Sequence, residues 1–145
     1  IQRRGAVLAS RLHALLTDLL GEDIPVGTVD ISFYRDDLTT RPDMPEVHAT
    51  EIGSPIDGAT VVIVDDVLYT GRTVRAAIEA LFAYGRPARV QLAVLADRGH
   101  RELPIRPDYV GKNLPTARAE RVNVHVAEVD GVDEVTISAG AEVTA

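Results

Sequence analysis

The run VVIVDDVLYTGRT, Val61 to Thr73, constrains this chain more than any other. Four apolar residues, Val61–Val64, suit a strand of a parallel sheet that is covered on both faces. Two carboxylates follow, Asp65 and Asp66, and then a turn, Thr70-Gly71-Arg72-Thr73. Beyond it Val74, Ala77, Ile78, Leu81 and Phe82 recur at helical spacing, with Gly85 as the stop. RVQLAVLADRG then reads as a second buried strand. Strand, helix, strand at this spacing is a βαβ unit, so the predicted class is α/β with a mostly parallel sheet.

The flanks fit around that unit. Residues 6–20 place Leu8, Leu12, Leu15, Leu16 and Leu19 on one helical face, with Gly21 as the stop. TVDISFYRDD alternates, Val29, Ile31 and Phe33 one way and Asp30 and Ser32 the other, which predicts a strand with one buried face. Residues 36–55, with Pro42, Pro45 and Pro55, read as a long loop or flap that returns through a short strand at VHATEI. YVGKNLP, RVNVHVAEVD and DEVTI suggest further short strands. The expectation is one domain over 1–137 and a frayed tail over 138–145.

Composition excludes some chemistry. There are no cysteines, hence no disulfides and no thiolate ligands or nucleophiles, which fits the cytoplasm. His13, His48, His100 and His125 show no metal-ligand spacing. No apolar run approaches the ~20 residues that span a bilayer, so no membrane partner is expected. The net charge of −7 argues against a uniformly basic coat. Between Arg98 and Arg121, however, six basic residues face three acidic ones, enough for a local phosphate-attracting surface.

In parallel α/β sheets ligands bind beyond the carboxyl ends of the strands, where Asp65 and Asp66 are expected to lie. Adjacent carboxylates repel, and a pair of sugar hydroxyls, a magnesium ion, or both would relieve them. The Thr70–Thr73 turn opens a helix, whose N-terminal amides bind phosphate, with hydroxyls from Thr70 and Thr73 and a close backbone approach at Gly71. Diol and phosphate recognition about one ribose apart imply a ribose 5-phosphate ligand. A solvated Asp pair before a capped helix is the bland alternative.

This stretch resembles the signature with which type I phosphoribosyltransferases bind 5-phosphoribosyl 1-pyrophosphate (PRPP). ISFYRDDLT, VVIVDDVLYTGRTVRAA, GRPARVQLAVLADRGHRELPIRPDYVGKNLPT and the E-V-D at Glu128 together resemble the PyrR family, over nearly all of residues 1–137. That resemblance implies an α/β core with a small hood over the base and a flexible flap. It implies Asp65 and Asp66 on the ribose hydroxyls, with magnesium held indirectly through PRPP, and Val67, Leu68 and Tyr69 along the same ligand. It implies the 5-phosphate on Thr70, Gly71, Arg72 and Thr73, and pyrophosphate on the Gln2–Gly5 loop. Arg4 and Gly5 keep the family's Arg-Gly, whereas Arg3 stands where relatives commonly have Thr. Arg35 would come down over the pyrophosphate, with Asp36 and Asp37 on the same flap, and Arg98 and the backbone at Val122 would border the base. Tyr69 stands where purine-specific relatives tend to carry a carboxylate, which favours a pyrimidine.

The implied activity is uracil phosphoribosyl transfer, giving UMP and pyrophosphate. The implied second role is UMP-dependent binding of a pyrimidine-operon messenger RNA stem-loop, which attenuates transcription. His100, Arg101, Arg106 and Lys112 match the RNA face, expected to form across a homodimer or higher homo-oligomer. The resemblance also implies a longer N-terminal portion ahead of Ile1, with the strand that feeds the Gln2–Gly5 loop. A nucleotide sensor with little catalysis and a purine salvage transferase are the competing readings.

Overall fold

The computed structural model describes residues 1–32 and 50–140. The βαβ unit forms as the apolar pattern predicts. Strand β1 (Thr60–Leu68) leads into helix α2 (Arg72–Phe82), which returns as β2 (Arg89–Asp97). β1 and β2 pair in parallel, Val61 opposite Val90 and Asp65 opposite Val94. β3 (Tyr109–Asn113) adds to the far side of β2, also parallel, giving a three-stranded sheet in the order β1-β2-β3. Helix α1 (Arg4–Leu20) precedes the sheet and packs on β1.

Ile63, Leu68, Leu92 and Val94 of the sheet close on Val74 and Ala77 of α2 to form the core, with Ile1 added. These are the α2 positions that the helical spacing marks as apolar, but Phe82 is half-exposed. The β1 run is less evenly covered than a sheet buried on both faces would require, since Val62 is 44% exposed. α1 starts two residues earlier than predicted and ends where predicted: the Gly21 amide donates to Thr17 O at 2.9 Å, in a left-handed cap. Its leucine face is covered only near the start. Leu12, Leu15, Leu16 and Leu19 are exposed, and an open groove of about 340 Å³ runs between Leu8, Leu12 and Leu15 and the sheet.

A second, antiparallel ribbon comprises β4 (Glu120–His125), a single-turn helix α3 (Ala127–Asp130) and β5 (Glu134–Ala139), with Val122 opposite Ile137. β5 takes in Ser138 and Ala139, paired opposite Arg121 and Glu120, so the ladder continues into the segment expected to fray.

The segment predicted as a strand from Thr28 forms only one antiparallel bridge, Thr28 to Glu51, within the described residues. Asp30 is buried, not solvent-facing: its Oδ1 accepts from the Ser32 amide at 2.8 Å and the Ser32 hydroxyl at 2.6 Å. This local turn displaces the ladder that the alternation predicted. Phe33, Arg35, Asp36, Asp37, His48 and the body of the flap lie outside the described residues.

Candidate active site

The chain start is threaded against β1. The Ile1 nitrogen donates to Val64 O at 2.9 Å and the Gln2 amide to Val29 O at 3.1 Å. This sets the Gln2–Gly5 loop, whose Gln2–Arg3 peptide is cis, beside the two carboxylates. Gly5 is the hinge of the arrangement. A Cβ there would lie 2.7 Å from Val64 O and 3.3 Å from Asp65 Oδ1, so only glycine lets α1 begin directly over Asp65.

β1 runs through both carboxylates and on to Leu68. Asp65 is buried. Burial pushes its carboxyl up to about 8, helped by the charge of Asp66 and a hydrogen bond between the two carboxyls. Asp66 accepts the Val67 amide at 2.8 Å, and Asp65 accepts the Asp66 amide at 2.9 Å. A buried carboxyl that resists ionising beside a second carboxylate is what a diol or a cation would relieve.

Arg4 is not free above this pair. Its Nε and Nη2 make a two-pronged bond to Asp130 at 3.1 and 2.7 Å, and this bond first, with Asp66 contributing least, holds its pKa above the ordinary value. Two turns further along the same face, Arg11 pairs with Glu128 and Asp133. α3 and its flanks are thus fastened to the start of α1. Sequence reasoning missed these acids as partners. The signal was present in two arginines seven apart on α1 and the acid-rich run from Glu128 to Glu134.

The turn after β1 differs in detail from expectation. Leu68 is 1% exposed, so its side chain belongs to the core and cannot line a ligand, and its carbonyl accepts the Arg98 amide at 3.1 Å. Gly71 has φ +95, which favours glycine, and a Cβ added there would meet Ile105 at 3.0 Å rather than open space. The Thr70 hydroxyl accepts the Arg72 amide at 3.2 Å, and Arg72 Nε donates to Glu102 at 3.0 Å. Thr73 is exposed at the start of α2.

RGHRELPIR, expected on a basic surface, largely packs behind this turn. Arg98 is 7% exposed, and its guanidinium carbon sits 4.0 Å over the Tyr69 ring, a desolvated cation–π contact. Arg98 also donates to the carbonyls of Ala117 and Arg118. His100 Nε2 donates to Thr116 O at 2.6 Å, and its ring meets Tyr69 edge-on. Arg101 holds Tyr69 O, Ile105 O and Asp97. Asp97 would be raised by burial, but the Arg101 bond and the Gly99 amide outweigh that and lower it. Arg106 and Lys112 are exposed. The structure therefore gathers Arg4, Gly5, Asp65 and Asp66 at one point and Tyr69, Thr70, Gly71 and Arg98 just beyond. Val122, expected to border the base through its backbone, lies in β4, opposite Ile137 of β5. Among the described residues no cluster of three or more His, Asp or Glu could hold a metal ion.

The profile described as Phosphoribosyl transferase domain matches residues 1–128, which puts the chain in that class of protein. The Bifunctional protein PyrR of Roseiflexus sp. is 62% identical over 138 residues, 94% of this chain and 75% of that protein. That of Chloroflexus aurantiacus is 59% identical over 140 residues, 97% of this chain and 77% of that protein. A solved hypoxanthine phosphoribosyltransferase from Staphylococcus aureus is 31% identical over 46% of this chain and 38% of its own, with a TM-score of 0.40. The chain belongs to the PyrR family of phosphoribosyltransferases.

Proposed function

We propose that this chain transfers the phosphoribosyl group of PRPP to uracil, giving UMP and pyrophosphate, and that with UMP bound it binds a pyrimidine-operon messenger RNA stem-loop. The observation that carries the catalytic half is the Asp65–Asp66 pair beneath Gly5, one turn before Gly71. The carboxylates would take the ribose hydroxyls and the Thr70–Thr73 turn the 5-phosphate. The Arg3–Gly5 loop and Arg35 would take the pyrophosphate.

In this reading bond breaking at the anomeric carbon runs ahead of bond making. The sugar gains oxocarbenium-like positive charge beside Asp65 and Asp66, and the leaving pyrophosphate gains negative charge beside Arg4 and Arg35. The chain's remaining tasks are to align uracil against the sugar and exclude water. Magnesium fits the donor set as an ion brought by PRPP, since it prefers one or two carboxylates plus substrate phosphates and retained water. When bound it neutralises phosphate charge. Tyr69, capped by Arg98, supplies no carboxylate for a purine ring, which supports the pyrimidine.

The RNA half rests on the family and on the local basic excess, of which Arg106 and Lys112 are the exposed members. A homodimer or higher homo-oligomer in the cytoplasm is the assembly this reading expects. Among the described residues no helix is long and apolar enough to cross a membrane.

The test is pyrophosphate release from PRPP and magnesium, with uracil, hypoxanthine and orotate side by side. Release with uracil alone is expected. Release with hypoxanthine at the uracil rate would overturn the base assignment, and binding of UMP without release would favour a sensor.

A further inference from the structure

We propose that Asp130 is a positioning residue for the leaving group, gripping one edge of the Arg4 guanidinium so that the other edge meets the pyrophosphate; this rests on the phosphoribosyl-transfer reading above. Nε and Nη2 of Arg4 donate to Asp130 Oδ2 and Oδ1 at 3.1 and 2.7 Å. That fork occupies the Nε–Nη2 edge of the planar guanidinium and leaves the Nη1 edge over. Among the described residues Nη1 makes no hydrogen bond, and the Arg4 side chain is 33% exposed, so the outer edge is open. The pair therefore need not break for an anion to be bound. Each partner steadies the charge of the other: the Asp130 bond holds Arg4 above its ordinary pKa, and the Arg4 bond holds Asp130 below the usual carboxylate range.

The carboxylate is itself fixed by a second set of bonds. Asp130 Oδ2 also accepts the Val126 amide at 2.8 Å, where β4 passes into α3. Its side chain is 14% exposed, so water competes little for it. Two turns along α1, Arg11 holds Glu128 and Asp133, and Asp133 accepts the Ala127 amide at 2.6 Å. α3 buries no residue of its own, so its place depends on these bonds and on the buried Val126 at its start. Asp130 thus carries the placement of the β4–β5 ribbon to the guanidinium. The consequence is kinetic. A long side chain left alone samples many rotamers, and ordering it while charge develops would slow the step. A guanidinium already held by a fork has no such reorganisation left when the pyrophosphate gains charge. If Asp130 instead competed with pyrophosphate for Arg4, removing its charge would tighten pyrophosphate binding; the open Nη1 edge favours positioning.

The experiment compares the wild type with Asp130→Asn, Arg4→Gln and the double variant. It reads kcat, inhibition by inorganic pyrophosphate and equilibrium UMP affinity, with thermal melts to follow folding. Asp130→Asn keeps the shape and removes the charge. It is expected to lower kcat and weaken pyrophosphate inhibition about tenfold, the scale of one charge-assisted hydrogen bond, while UMP, which brings no pyrophosphate to Arg4, binds within about twofold of wild type. On the Arg4→Gln background the same substitution should change kcat little, since Asp130 acts through Arg4. Equal losses of UMP and pyrophosphate affinity would make Asp130 a structural residue only. Tighter pyrophosphate inhibition would make it a competitor for Arg4, and additive losses in the double variant would make it independent of Arg4. Each of these overturns the assignment. Should Asp130→Asn fail to fold, Asp130→Glu decides, because it keeps the charge and displaces the fork: lowered kcat with UMP affinity retained supports the assignment, and wild-type turnover and pyrophosphate inhibition overturn it. A wild type that neither releases pyrophosphate nor binds UMP overturns the site reading and this assignment with it. A wild type that releases pyrophosphate, with Asp130→Asn indistinguishable from it, overturns this assignment alone.

Discussion

Gly5 and Asp65 form one device at the scale of single residues. The helix start can lie on the strand only because position 5 lacks a side chain, and that proximity keeps Asp65 dry. Gly5→Ala puts a methyl 2.7 Å from a backbone carbonyl that cannot move without breaking β1. The expected cost is about 1–3 kcal/mol of stability. Turnover should fall further than stability implies, because Arg3 and Arg4 move with the helix. Thermal melts beside pyrophosphate-release rates separate the two effects, and a stable variant with wild-type turnover would contradict the role given to Gly5. Asp65 makes a pH prediction. Its carboxyl is raised from 3.8 to about 8, so the folded state holds a proton that the unfolded state has released across that window. Stability contributed at this site is therefore lost as pH rises from about 4 to about 8. The acids depressed by their partners, Asp97, Glu128, Asp130 and Asp133, act in the opposite direction and below that window, their contribution fading as pH falls through their lowered values. Melting temperatures of Asp65→Asn minus wild type should accordingly grow between pH 5 and pH 8. A constant difference would show that Asp65 is ionised throughout.

At the scale of elements the proposed phosphate site is the turn from β1 to α2, and its behaviour depends on what packs behind it. Gly71 combines a φ of +95 and ψ of −4 with a face on which an added Cβ would lie 3.0–3.1 Å from Ile105. Gly71→Ala should cost about 1–2 kcal/mol and weaken UMP. Asparagine tolerates positive φ better than alanine, yet it also carries a Cβ that meets Ile105. Gly71→Asn is therefore expected to be no better than Gly71→Ala in melting temperature or UMP affinity. Full recovery with Asn would mean that dihedral strain alone sets the cost and that Ile105 is an indifferent neighbour. The βαβ unit around this turn was legible because burial enforces the apolar runs that reveal it, and α2 follows them at Val74, Ala77 and Leu81. The TVDIS segment was less legible because Val29 and Ile31 alternate like a strand, whereas Asp30 Oδ1 takes the Ser32 amide and hydroxyl and the Asp30 amide goes to the Thr50 hydroxyl. RGHRELPIR was less legible in another way. Charge type reveals neither direction nor partner, and Arg98, His100 and Arg101 spend their donors on carbonyls from Tyr69 to Arg118.

For the whole molecule the question is how a chain of net charge −7 would hold the RNA proposed for it. Part of the positive charge is already neutralised internally, Arg4 and Arg11 by the acids between Glu128 and Asp133, and Arg72 by Glu102. Arg118 lies 3.6 Å from Glu102 as well. Of the residues first assigned to the RNA face, Arg106 and Lys112 are exposed, while His100 and Arg101 are bonded inward. Counterion release counts only the cations that reach phosphate. The slope of log affinity against log salt should therefore fall by about 1 for Arg106→Gln and again for Lys112→Gln. Arg101→Gln should change that slope less, because its guanidinium is already bonded to Asp97, Tyr69 O and Ile105 O. Stem-loop binding measured over a salt series, with UMP saturating, checks both halves. If Arg101→Gln lowers the slope as Arg106→Gln does, the guanidinium leaves its three carbonyl and carboxylate partners when RNA arrives. The segment behind the turn would then be a moving part of the RNA surface rather than its fixed support.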